Sequence, residues 1–275
     1  VAVSTLGKVG AIYRRGLRRI RARSRGIYSN FDEQIIIQKY LAALKIETRV
    51  CVDIAAGNGV KISNTYSLFK QGWTGLAVEY GPRDFASLAR SYRKFPDVNL
   101  AKCKVTPPNV VSLLKGNDVP KNFSFLSLDI DSYDYFVLEQ ILREFRPSLI
   151  CAEINEKIPP PLKFTVKWDP HCVPTGTHCY GQSISQMHTL CPLFGYSLVE
   201  VHYNNAFLIP NEINPYPSLT PEDGYRKGYL DQPDRKERFP WNANMEEVLR
   251  LPPEQAANFV NEFFSAHKGM FVCSL

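Results

Sequence analysis

The sequence predicts an α/β fold built on a doubly wound, mostly parallel sheet. Three observations predict it. Between Arg49 and Glu153, short apolar runs that read as buried strands alternate with segments of helical period. The first run, Val50-Cys-Val-Asp-Ile54, passes into the small-residue loop Ala55-Ala-Gly57-Asn-Gly59. The second run, Gly75-Leu-Ala-Val78, ends in an acid, Glu79. A strand, a tight glycine loop opening a helix, and a second strand ending in an acid suit a nucleotide. The loop lets backbone come close to the ligand, a helix N-terminus favours anionic groups, and the acid can accept the ribose hydroxyls. A dinucleotide fingerprint needs a third glycine where Ile62 stands, so that class is excluded.

The elements follow in order. Val9, Ile12, Tyr13, Leu17 and Ile20 lie among arginines and predict a short amphipathic helix over residues 8–25 with a basic face. Asn30 or Asp32 is placed to cap a helix from Glu33 to Leu44, whose Ile36, Ile37, Tyr40, Leu41 and Leu44 form one buried stripe. Strand one is Arg49–Ile54, and its crossover helix runs from after Gly59 to Phe69, closed by Gly72. Strand two is Gly75–Glu79. Pro82 suits the first turn of a helix to about Arg93. Strand three is Val98–Lys102, and Pro107-Pro108 start a short helix to Leu114. Strand four, Phe123–Asp129, is apolar apart from Ser124, Ser127 and its last residue, and so is expected to be buried on both faces. A helix from Asp134 to Phe145 precedes strand five, Ser148–Glu153. Gln182–Phe194 reads as one helix ended by Gly195, and Tyr196–Val201 with Ala206–Ile209 as an antiparallel pair around Asn204-Asn205.

Two segments stand outside this alternation. Residues 154–181 form a long connection rich in Pro, His and Cys, of the length that usually marks a functional loop or lid. After Pro210 the chain is rich in Pro, Asn and charge until Trp241, with a helix or two expected within Met245–Ala266. This tail is a candidate for packing on the core or for assembly into an oligomer. The expected organisation is a basic arm (1–30), an α/β domain (31–210) and a Pro-rich, helical extension (211–275).

Charge and cysteines bound the function classes. The net charge is +6 over 275 residues. Lys8 and seven arginines (14, 15, 18, 19, 21, 23, 25), with no acid, give residues 1–30 a charge of +8; the remainder, with 25 basic and 27 acidic residues, carries −2. The body is therefore not a basic nucleic-acid surface. The arm is a candidate contact for an anionic membrane surface, an acidic substrate or RNA, and an Arg-rich start also suits organellar import. No run is apolar enough to span a membrane or to form a signal-peptide core. Seven widely spaced cysteines, two of them in buried strands, favour reduced thiols and a cytoplasmic setting.

The pattern Asp53-x-Ala55-x-Gly57-x-Gly59 resembles the first motif of class I S-adenosylmethionine (SAM) methyltransferases, which usually have glycine where Ala55 stands. Phe125-Leu-Ser-Leu-Asp-Ile-Asp-Ser-Tyr-Asp-Tyr135, followed by Pro147 and Glu153-Ile-Asn155, resembles the motif after strand four in FkbM-type members. Tyr180-Gly-Gln-Ser183 and Asn205-Ala-Phe207 are similar to their helix opening and terminal strand. The resemblance covers roughly residues 35–210. It implies a Rossmann-like, seven-stranded, mostly parallel sheet with an antiparallel terminal hairpin, here with a basic N-terminal helix and a helical tail added. It also implies a SAM-dependent methyltransferase. O-methylation of a hydroxyl on a small molecule or sugar is the first expectation. N-methylation of an amine, protein or RNA is the alternative, and a non-catalytic binding protein on the same fold is the second.

For SAM the candidate residues are Asp53, Ala55, Gly57, Gly59, Glu79 and Asp129. Asp129, Asp131 and Asp134 follow strand four, at the edge where open α/β sheets bind ligands, and Glu153 ends the next strand. Crowded carboxylates repel, so at least one is expected to be protonated, paired with a cation or metal-bound. Asp129, Asp131, Asp134, His171 and His178 are the catalytic candidates. Asp129, Asp131 and Glu153 are candidate ligands for Mg or Mn. Helix capping is the competing reading for Asp131 and Asp134. The group His171, Cys172, His178, Cys179, His188, Cys191 invites a zinc reading, but its spacing matches no familiar zinc module. Tyr133, Tyr135, Trp168 and Tyr180 could wall an apolar pocket or simply pack the core.

Overall fold

Apolar runs with no polar alternation become strands covered on both faces. In the structure, a computed structural model that describes residues 26–171 and 178–275, five such runs are parallel strands. They are β1 (Val50–Ile54), β2 (Thr74–Glu79), β3 (Val98–Lys102), β4 (Phe125–Leu128) and β5 (Leu149–Glu153). After β6 (Lys163–Val166), β7 (Tyr196–His202) and β8 (Asn205–Pro210) form the antiparallel hairpin, and β8 pairs antiparallel to β5. The main sheet runs β3-β2-β1-β4-β5-β8-β7, which is the seven-stranded form that the resemblance implies. Neighbouring residues go to opposite faces: Cys51 and Val52, Phe125 and Leu126, Leu149 and Ile150, Phe207 and Leu208 each divide between two buried clusters. That alternation between two apolar layers is why these four strands read as apolar runs.

Helices cover both faces: α1 (Glu33–Ala43), α2 (Tyr66–Lys70), α3 (Pro82–Tyr92), α4 (Val110–Gly116), α5 (Asp134–Glu144), α6 (Ile184–His188) and α7 (Leu190–Phe194). Four sequence expectations are corrected. The first crossover helix does not open at the glycine loop. Asn58 Oδ1 accepts the N–H groups of Val60 (3.0 Å) and Lys61 (2.8 Å), and Ile62 takes a left-handed φ of 58°. Ser63 Oγ then accepts from Tyr66 N–H at 3.0 Å, so the helix starts there. The helix dipole therefore does not point from the glycine loop. At α1, Asp32 sits at φ 69° and caps nothing with its side chain; Glu33 instead accepts from Phe31 N–H at 2.7 Å. The helix over 182–194 is two helices, because Pro192 has no N–H to give the carbonyl of His188. Ser183 caps the first by accepting from Gln186 N–H at 3.1 Å.

The fourth correction concerns the long connection. It contains β6, which pairs antiparallel with β9 (Phe271–Ser274) in a second, two-stranded sheet. Between them come α8 (Pro221–Tyr225), a π-helical turn (Arg226–Leu230), α9 (Arg235–Arg238) and α10 (Pro253–Phe263). Tyr225, Tyr229, Phe239, Met245, Val248, Val260 and Phe264 of the extension lie in the same buried cluster as β4 and β5. No helix among the described residues is long and apolar enough to cross a membrane. The basic helix expected over 8–25 and Cys172 lie outside the described residues.

Candidate active site

The sheet's strand order reverses between β1 and β4, which opens a crevice at the carboxyl ends of the strands. A cavity of about 280 Å³ lies there. Its wall comes from residues that follow four strands: Ala55 after β1, Val78 to Tyr80 at β2, Cys103 to Val105 after β3, and Ile130, Ser132 and Tyr133 after β4. Tyr133 is held by its hydroxyl, which donates to Val105 O at 3.0 Å, and by an edge contact with Trp168, 4.5 Å between ring centres.

Glu79 stands at the rim. Its Oε2 accepts from Gly57 N–H at 2.8 Å and its Oε1 from Gly81 N–H at 2.5 Å. Each carboxylate oxygen has a further lone pair, so the group can still accept from a diol. The two glycines of the loop do different things. Gly57 has φ 54°, and a Cβ there would meet no protein atom. Gly59 has φ 76°, and a Cβ there would come within 2.5 Å of Leu88 Cδ1 and 2.6 Å of Tyr92 Cε1. Gly59 therefore serves the close approach of α3, secured by Tyr92 Oη donating to Gly59 O at 2.9 Å. Asp53 does not line the cavity. It is buried below the loop, where Thr65 Oγ1 donates to it at 2.5 Å, and burial pushes its carboxyl up to about 6.

Beside the cavity, Asp129, Asp131 and Glu153 bring one oxygen each to within 4.8 Å of one another. Asp129 N–H donates to Ile54 O at 3.4 Å, which sets it next to Ala55. Glu153 ends β5, is 6% exposed, and accepts from Asn204 Nδ2 at 2.8 Å through Oε1 alone. Burial, then mutual repulsion, raises the carboxyls of Asp129 and Glu153 well above the usual range; burial raises Asp131, opposed first by a hydrogen bond with Glu153 and then by the charge of Lys157.

Asp134 is not part of this group. It is fully buried and accepts from Ile130 N–H (2.8 Å) and Ser132 N–H (3.0 Å), so it clamps the loop that carries Asp129 and Asp131. The catalytic reading of Asp134 is replaced by this scaffolding role. The histidines also separate. His171 is exposed, with its own N–H bonded to Asp169. His178 is half-buried against Phe263, and burial lowers its imidazole below the usual value, with Lys157 adding to the effect. Among the described residues the His/Cys group forms no metal cluster; the one group with metal-ligand spacing is the acid triad.

Sequence reasoning missed the polar network behind the triad. Asn155 Nδ2 donates to His178 O and Tyr180 O, both at 2.9 Å, and so ties the end of the long connection to β5. Lys157 Nζ, 3.3 Å from Glu156 Oε1, donates to Tyr180 Oη at 2.7 Å; Tyr180 Oη in turn donates to Glu156 Oε2 at 3.1 Å. The signal available was a Glu-Lys pair directly after strand five, which reads as surface charge until its burial is known.

No protein-family model matches the chain, and no curated protein is similar to it in sequence. Several solved structures are similar in the run of their elements. One is a TehB-like SAM-dependent methyltransferase from Corynebacterium glutamicum, 12% identical over 74% of this chain and 99% of that one, with a TM-score of 0.41. Another is an O-methyltransferase from Bacillus cereus in complex with S-adenosylhomocysteine (SAH), 13% identical over 64% and 76%, TM-score 0.40. A third is precorrin-6y C5,15-methyltransferase from Geobacter metallireducens, 13% identical over 63% and 87%, TM-score 0.38. The argument for the fold rests on this chain's own seven-stranded order, and that for the site on the cavity at the carboxyl ends of β1 to β4.

Proposed function

We propose that this chain is a SAM-dependent methyltransferase that methylates a hydroxyl on a small molecule or sugar. The observation that carries the reading is the cavity at the strand-order reversal, with Glu79 at its rim and the acid triad beside it. Its residues fit the group. Glu79 offers lone pairs to two ribose hydroxyls, the apolar walls of Val78, Val105, Ile130 and Tyr133 suit a flat base, and the space over Gly57 admits the amino-acid end. Bound SAM supplies a methyl group already activated by its sulfonium, so positioning provides much of the rate. The chain's own part is to orient the acceptor and to take its hydroxyl proton. Asp131, exposed between the cavity-lining Ile130 and Ser132, and Asp129 beside it are the acceptor-facing carboxylates. A hydroxyl must lose a proton when its oxygen gains the methyl group, and a carboxylate beside the acceptor can take it.

Calorimetry with SAM and SAH tests the reading. Both should bind the purified chain, and Glu79→Ala should weaken SAM at least tenfold, since charge-assisted hydrogen bonds contribute about 1.5–3 kcal/mol each. Glu79→Gln, which keeps an acceptor, should fall between. Unchanged affinity in folded Glu79→Ala, or no binding by the wild type, would sink the assignment. Labelled methyl transfer to a panel of hydroxyl and amine acceptors then decides O- against N-methylation. The +8 charge of residues 1–30 further supports an anionic contact, a phosphorylated acceptor or a lipid surface, through residues 8–25. Deleting residues 1–25 should leave SAM binding intact and remove salt-sensitive association with anionic vesicles.

A further inference from the structure

The three carboxylates beside the cavity pose a charge problem that the protein does not solve with its own cations. Asp129, Asp131 and Glu153 place an oxygen each within 4.8 Å of one another. The buried ammonium of Lys157 is already committed to Glu156, Tyr180 and Asn155. Glu153 carries the sharper observation. Its side chain is buried, Oε1 is used by Asn204, and no N–H group reaches the solvent-shielded Oε2; Asp129 and Asp131, its neighbours, can bond to Glu153 only through a proton held between two acids. A buried carboxylate oxygen without a partner is destabilising unless a proton or a cation satisfies it.

We propose that Asp129, Asp131 and Glu153 bind one hard divalent cation, of the magnesium, manganese or calcium class. The donor set is all oxygen, which selects these ions over zinc or copper. The spacing fits. Two oxygens on opposite sides of a cation stand about 4.2 Å apart at magnesium distances and about 4.8 Å at calcium distances. Two of the ligands come from the loop that Asp134 clamps and the third from a strand end, so two independent supports hold the set. Asp131 is exposed, which leaves the outer side of the cation open to water or to an acceptor oxygen. The site's occurrence is independent of the methyltransferase reading; its role, holding the acceptor oxygen, rests on that reading.

The test uses the whole chain, freed of metal with chelator and dialysed. Manganese is titrated in, followed by the loss of the free Mn²⁺ electron paramagnetic resonance signal, without SAM. One ion per chain should bind, magnesium or calcium should displace it, and the melting temperature should rise with added metal. Asp131→Asn, at an exposed position, should not lower the metal-free melting temperature, since it removes one of three repelling charges, and should weaken manganese at least tenfold. Glu153→Gln should do the same, and if it does not fold, Asp131→Asn carries the test. No saturable binding up to about 1 mM, the weak end of biological calcium sites, overturns the proposal and leaves a shared proton as the triad's solution. Stoichiometric binding unchanged in Asp131→Asn also overturns it. Manganese binding with no SAM binding would overturn the proposed function and keep the site; the reverse result would do the opposite.

Discussion

Ala55 holds a left-handed φ of 68° at the position where the resembled motif usually has glycine. That geometry explains the preference: a Cβ in this region costs about 1–2 kcal/mol. Ala55→Gly should therefore raise the melting temperature by about 2 °C, the gain in the folded loop exceeding glycine's added freedom in the unfolded chain. Differential scanning calorimetry checks this, and a lower melting temperature would mean that the Ala55 methyl packs usefully in the cavity wall. Asp53 makes a pH-dependent contribution of the opposite kind. Its carboxyl is raised from 3.8 to about 6 by burial, so the folded state holds a proton that the unfolded chain releases. Below about pH 4 both states are protonated and there is no cost. As pH rises from 4 to 6 stability falls, by about 3 kcal/mol in total from this residue. Asp53→Asn keeps an acceptor for Thr65 and should flatten that fall. Urea midpoints of the two proteins between pH 4 and 7 should diverge in this window; parallel curves would show that Asp53 is ionised in the fold.

At the scale of elements, the glycine loop gives a paired test. Gly59→Ala drives a methyl into Leu88 and Tyr92 and should destabilise by at least 2 kcal/mol through α3. Gly57→Ala meets no protein atom, should stay folded, and should lose SAM affinity instead. Equal effects of both on stability and binding would refute the division. The strands were legible because buried parallel strands announce themselves as apolar runs, and the acids after β2, β4 and β5 were legible as breaks in those runs. What the acids do was not. Asp53, Asp129 and Asp134 look alike in sequence, yet one is held by Thr65, one faces the other carboxylates, and one grips two backbone N–H groups. Those roles depend on loop conformations such as the left-handed Ala55, Ile62 and Asp131, which side-chain pattern does not report.

On the scale of the whole molecule, residues beyond 210 are part of what holds the site. Asn242 Nδ2 donates to Glu156 Oε1 at 2.7 Å and Tyr225 Oη to Glu156 O at 2.6 Å, so the extension braces the segment that follows β5. Asn242→Ala should cost about 1–3 kcal/mol, since it leaves a buried carboxylate short of a donor. Because these residues share the cluster of β4 and β5, the cost should appear as a lower midpoint of one transition, seen alike by circular dichroism and tryptophan fluorescence. A separate early transition would show that the extension unfolds alone. The sequence offered packing on the core as one of two roles for the tail, but not the contacts that make it, and β6 looked like loop because its partner lies so far along the chain. The same pairing sets an order of assembly. On the ribosome, all the residues that line the cavity, Ala55 to Tyr133, emerge before any of the extension does. The strand at Val166 must wait for Phe271, and Glu156 for Asn242. In terms of the proposed function, the side that would receive SAM is thus synthesised well before the side that would receive the acceptor is complete.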